Sequence, residues 1–174
     1  MSNSKKQARV STAKRFAQIE KISIMGITER MGPLGLHMYA SAYLDAARTL
    51  PLPTVPFEPV RPFLVCHSIE LGLKAFLSLQ GAAMLELADG CFGHNLEAIL
   101  QKADEKHLGM HVSITETHKA EIRKASLYYA GKVFEYPAIG EALSAYPSMP
   151  VIDTLFEVAT ILVDSLRQQC LEAK

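Results

Sequence analysis

The run Arg61-Pro-Phe-Leu-Val-Cys-His-Ser-Ile-Glu-Leu-Gly-Leu-Lys-Ala-Phe-Leu-Ser-Leu79 constrains this chain more than any other stretch. Proline at its second position can open a helix, because it has the φ angle of the first turn and no N–H to leave unsatisfied. From Pro62 to Leu79 the spacing predicts one helix of about five turns. At about 100° per residue, Lys74 and Ser78 fall within roughly 20° of His67, and Glu70 lies about 60° to one side. Phe63, Leu64, Val65, Ile69, Leu71, Leu73, Phe76, Leu77 and Leu79 take most of the remaining circumference. A helix apolar on nearly every side must be enclosed by others. It is therefore expected to be the central helix of a bundle, carrying one narrow polar stripe.

A chain of 174 residues is long enough to enclose such a helix, since chains of this size bury roughly 70% of the surface they expose when unfolded. The expected organisation is a basic arm or helix over residues 1–24 and a single domain over 25–174. Formal net charge is zero, which gives no global electrostatic case for nucleic acid. The balance hides an asymmetry. Residues 1–21 hold Lys5, Lys6, Arg9, Lys14, Arg15 and Lys21 against Glu20 alone, so the arm carries +5 and the rest −5. Cys66, Cys91 and Cys170 lack CxxC spacing, which fits neither a disulfide framework nor a zinc ribbon. A reduced, cytoplasmic setting is expected. No uninterrupted apolar run reaches the ~18–20 residues of a membrane span, so no membrane partner is expected.

Around the central run, Thr12 to Ile24 reads as an amphipathic helix, and Leu36 to Leu50 as a second with Met38, Tyr39, Ala42, Tyr43, Ala46 and Ala47 on one face. Gly26, Gly32, Pro33 and Gly35 mark a turn between them. Five prolines between Pro51 and Pro62 predict a stiff, extended connector. Gly81 stops the central helix, with a short helical turn over 82–88. His94 or Asn95 caps the next helix, which runs to Leu108-Gly109, where glycine is expected to supply a left-handed residue. A helix from Ser113 or Thr115 to Gly131 follows, then Phe134-Glu135-Tyr136-Pro137 as extended chain, and a last helix over Val151–Leu171. The chain is expected to be all-α.

The order of these pieces resembles the HEPN superfamily of prokaryotic helical-bundle proteins. The resemblance rests on the alanine- and tyrosine-rich helix, the proline connector, and His67-x-x-Glu70-Leu-x-Leu-Lys74-Ala-Phe-Leu. Gly93-His94-Asn95-Leu96 at the next helix and Tyr128/Tyr129 before Phe134-Glu135-Tyr136-Pro137 complete it, spanning about residues 36–166. It implies an up-and-down bundle of four to five main helices, frequent dimerisation, and a background of RNA cleavage, nucleotide binding or defence. Many such proteins are metal-independent RNases with an Arg, four to six residues, then His, placed where two subunits meet. Here Arg30-x6-His37 and Arg61-x5-His67 have that spacing. Neither lies in the late helix where the resemblance would place it, Arg61 is followed by proline, and Glu135 stands where the family frequently has arginine. A carboxylate there would repel phosphate.

These departures favour a non-catalytic binding or interaction module associated with RNA, nucleotide or defence systems, acting as a homo-oligomer and open to a protein partner. One alternative is a metal-independent RNase using Arg61 and His67, in which histidine manages the 2′-hydroxyl proton and arginine holds the phosphate. A second is a small-molecule-binding helical protein with its site beside Lys74 and His94. Glu70 and Lys74 have the acid-before-base spacing of a helical salt bridge. Buried in so apolar a bundle, they would need partners, and His94 with Tyr128 or Tyr129 are the candidates, Tyr128 being assigned to the site. His67 and Glu70 lack a second Glu-x-x-His pair on a facing helix, so no metal and no cofactor are expected. His107, His111 and His118 read as exposed loop histidines.

Overall fold

The computed structural model describes residues 32–54, 58–88, 92–136 and 149–173. The expected helix over Thr12–Ile24, the basic arm, Gly26, Arg30, Cys91 and Pro137 lie outside the described residues. Residues 32–174 form one compact unit. Among the described residues there are six α-helices and no strand: α1 (Pro33–Thr49), α2 (Val60–Leu79), α3 (Met84–Ala88), α4 (Leu96–Glu105), α5 (Glu116–Ala130) and α6 (Ile152–Glu172). A 3₁₀ turn, Leu108–Met110, follows α4. The protein is an all-α helical bundle.

The central run is α2, and it packs most extensively against α1, then α6 and α4. Val65, Cys66, Ile69, Leu73, Ala75, Phe76 and Leu77 are fully enclosed. By length and apolar composition α2 also meets the requirement for a membrane span, but 67% of that window is buried inside the protein. Gly72 sets the approach of α6: a Cβ built there would lie 3.3 Å from Leu162 Cβ. Two buried polar groups tie α1 to its neighbours. His37 Nε2 donates to the Val163 carbonyl at 2.7 Å, and Ser68 Oγ donates to the Ala40 carbonyl at 2.8 Å.

Helix ends differ from the expected ones in instructive ways. Pro33 sits at the start of α1, absorbing the expected turn, because the first helical position loses nothing from a missing N–H. The same reasoning lets α2 begin at Val60, with Pro62 inside its first turn. The Glu58 carboxylate caps it by accepting from the backbone N–H groups of Val60 (2.6 Å) and Arg61 (3.1 Å). At the other end Gly81 takes φ +86°. Ala82 then donates to the Leu77 carbonyl and Gly81 to that of Ser78, closing the last turn.

The left-handed residue after α4 is His107 (φ 61°), not Gly109, and α5 is followed by a left-handed Lys132 (φ 57°). Residues 131–135 form turns where extended chain was expected, with Glu135 and Tyr136 both donating to the Lys132 carbonyl. The left-handed Lys132 reverses the chain, which an extended continuation could not do. His118 lies inside α5, where its side chain and that of Thr115 form a reciprocal cap, so it is not a loop histidine.

Candidate functional site

Glu70 is the hub of the polar stripe. It projects from the middle of α2 into the bundle, and its carboxylate is almost completely buried. One turn along the same helix, Lys74 Nζ donates to Oε1 at 2.6 Å, and it reaches the Gly93 carbonyl at 3.2 Å. The other oxygen, Oε2, accepts from the Tyr129 hydroxyl at 2.7 Å and from His94 Nδ1 at 3.0 Å. His67 Nδ1 lies 3.5 Å from Oε2, and its short contact is to the Tyr129 oxygen, at 2.6 Å. The imidazole therefore reaches the carboxylate mainly through the tyrosine.

The cap of α4 places His94. Asn95 Oδ1 accepts from the Ala98 N–H at 3.1 Å and from Ser126 Oγ at 3.3 Å, while Ser126 Oγ accepts from the Glu97 N–H at 3.1 Å. These bonds fix the start of α4 against α5. Asparagine, the better capping type, takes the cap and leaves the histidine beside it to turn toward Glu70.

Proton counting assigns the donors. Burial alone would push the Glu70 carboxyl up. The hydrogen bonding of His67, the charge and hydrogen bond of Lys74 and the Tyr129 hydroxyl outweigh it and hold the group down at about 2. Glu70 is thus an anion and accepts only. Burial and the nearby Glu70 charge push the Tyr129 phenol well above its ordinary value, so it keeps its single proton and gives it to Oε2. The Tyr129 oxygen must then accept from His67, and both imidazoles carry their proton on Nδ1. In each ring Nδ1 is the atom turned to the hub, and among the described residues neither Nε2 makes a hydrogen bond. A carboxylate that fixes the tautomer in this way leaves Nε2 as an acceptor or base.

The network is closed on its inner side and open at the histidines. The His94 side chain is 38% exposed and that of His67 20%, against 5% for Glu70. Rings gather around this opening. The Tyr43 ring meets His67 edge-on at 4.4 Å, Phe63 stacks on His67 at 5.8 Å with planes 8° apart, and His94 lies edge-on to Tyr129 at 5.1 Å. Tyr43, Phe63, His67 and His94 are all partly exposed.

Of the residues singled out in the sequence, Glu70, Lys74, His94 and His67 come together. The hydroxyl that reaches Glu70 is that of Tyr129, whereas the Tyr128 ring stacks against Phe134 at 6.0 Å. Periodicity does not draw that distinction: Tyr129 lies four residues after the buried Ala125 and Tyr128 seven after the buried Glu121, so both spacings are helical. Arg61 is placed elsewhere. Its Nη2 donates to the carbonyls of Leu50 (2.8 Å) and Pro51 (2.6 Å), clipping the end of α1 to the start of α2. His37 of the other Arg-x6-His spacing is buried against α6. Cys66 adjoins His67 in sequence but is wholly buried. Burial and the Glu70 charge push its thiol well up, which leaves no thiolate nucleophile. Tyr43 and Phe63 were not read as site residues, since on their own helices they look like ordinary apolar-face positions.

No family model matches the chain, and no curated protein and no solved structure matches it either.

Proposed function

We propose that this protein is a HEPN-like, non-catalytic binding module that takes an RNA base or a nucleotide on the face formed by Tyr43, Phe63, His67 and His94. The observation that carries this reading is the state of the two cations the stripe offered for a phosphate. Arg61 is spent on the Leu50 and Pro51 carbonyls, and Lys74 is spent on Glu70 and Gly93. Cleavage of a phosphodiester needs a cation where charge develops on the phosphate. A base-binding face needs partly exposed rings, which stack on any base, and polar groups of fixed direction, which the two Nε2 atoms supply. The HEPN resemblance points to the same ligand class. The module is read as cytoplasmic and dimeric, the second property being measurable by sedimentation.

One observation favours the RNase alternative. Two imidazoles with their tautomers set by a buried carboxylate are arranged as a general acid and base would be. A single experiment separates the two readings. A labelled mixed-sequence single-stranded RNA and the four mononucleotides are titrated onto the full chain in EDTA, and the RNA is then run on a denaturing gel. The binding reading expects saturable association, intact RNA, and affinity reduced about tenfold by Phe63→Ala or His94→Ala, in line with ~1–3 kcal/mol per stacked base. Cleaved RNA that becomes intact in His67→Ala would establish the nuclease instead. Absence of association with every probe would remove the nucleic-acid ligand.

A further inference from the structure

One donor atom each from His67, Glu70 and His94 lies within 4.8 Å of the other two. We propose that these three groups bind a divalent transition-metal ion of the zinc type, a capacity that shares His67 and His94 with the nucleotide face and is measured without any nucleotide present. The sequence argued against a metal because α2 has no facing Glu-x-x-His partner. The third donor comes instead from the loop that caps α4.

The donor set and its spacing carry the inference. Two imidazole nitrogens and one carboxylate oxygen suit Zn²⁺ or Co²⁺, whereas Mg²⁺ and Ca²⁺ take oxygen donors. With bonds of about 2.0–2.1 Å, neighbouring donors in a tetrahedral site lie about 3.4 Å apart. Here Oε2 lies 3.0 Å from His94 Nδ1 and 3.5 Å from His67 Nδ1, which brackets that edge for the two carboxylate–imidazole pairs, and the two histidine donors lie within 4.8 Å of each other. The outer groups are also in place: Lys74 holds Oε1, the oxygen turned away from the histidines, and is itself held by the Gly93 carbonyl. Its ammonium opposes the charge of an incoming ion and weakens binding, and the ion takes the place of the bonds that His94 Nδ1 makes to Oε2 and His67 Nδ1 makes to the Tyr129 hydroxyl. The partly exposed histidines provide the access path.

The test uses the full chain stripped with EDTA and then dialysed. Zn²⁺ is titrated by calorimetry and Co²⁺ by visible absorption. One ion per chain is expected, with the intense bands of tetrahedral Co²⁺, and His67→Ala and His94→Ala should each weaken Zn²⁺ binding at least about tenfold. His111→Ala, which alters an exposed residue bonded to Gln169, should leave affinity unchanged. Helicity is recorded for each variant; the more exposed His94 is the substitution that keeps the test valid should His67→Ala not fold. No Zn²⁺ uptake at about 100 μM, or affinity unaltered in His94→Ala, would overturn the proposal. RNA binding is measured in EDTA, so failure of either idea is visible separately.

Discussion

Lys74 Nζ sits 2.6 Å from Glu70 Oε1 with both side chains buried one helical turn apart on α2. On a helix surface such a pair would contribute ~0.2–0.5 kcal/mol. Inside the bundle its significance lies in the cost of breaking it. Lys74→Met should destabilise the protein by about 3–5 kcal/mol, because it strands a buried carboxylate. Adding Glu70→Gln to Lys74→Met should recover a large part of that loss. Urea unfolding of the two single variants and the double variant measures the coupling, and additive losses would show that the pair does not act as a unit.

Acid should act through the same carboxylate. The Glu70 pKa is lowered from 4.5 in the unfolded chain to about 2 in the folded protein. Its contribution is therefore complete above about pH 4.5 and lost as pH falls toward 2. Over that window stability should drop by an additional amount on the order of 3 kcal/mol, absent in Glu70→Gln. Thermal unfolding at a series of pH values compares the slopes, and parallel slopes would contradict the assignment.

Tyr129→Phe removes the one proton that joins His67 to Glu70. A loss of about 1–3 kcal/mol is expected, with His94 still donating to Oε2. Nitrogen-15 NMR of the imidazoles should show His67 no longer fixed in the Nδ1–H tautomer and His94 unchanged. A persisting fixed tautomer at His67 would mean that the tyrosine does not orient it.

Arg61→Ala should behave as a structural change. It deletes two hydrogen bonds to chain carbonyls and should cost about 1–3 kcal/mol, with RNA or nucleotide affinity within about twofold of wild type once folding is corrected for. Binding abolished in a folded Arg61→Ala protein would make the arginine a ligand group and return weight to the RNase reading.

Gly72→Val should lower stability by about 1–3 kcal/mol, because α2 and α6 approach so closely at Leu162 that added methyl groups force them apart. Unchanged stability in urea would indicate that Leu162 yields without cost.

Read alone, the sequence determined that α2 is central, that the protein is all-α, and that Glu70, Lys74 and His94 belong together. These follow from local physics. A helix apolar on nearly every side with one polar stripe is best enclosed by other helices, and a buried acid and base one turn apart must find partners. Tertiary structure decided what sequence spacing cannot encode. It chose Tyr129 over Tyr128, because the rotation of α5 against α2 sets which hydroxyl arrives at Oε2. It committed Arg61 to the carbonyls of Leu50 and Pro51, because the end of α1 and the start of α2 lie side by side in the fold. It brought His94 within reach of His67, since the cap of α4 is held by Ser126 of α5. Helix ends were legible only to the resolution of their capping chemistry, with His107 taking the left-handed position that Gly109 seemed to reserve. Periodicity fixes what must be buried, whereas the meeting of three helices fixes which polar atoms share that interior.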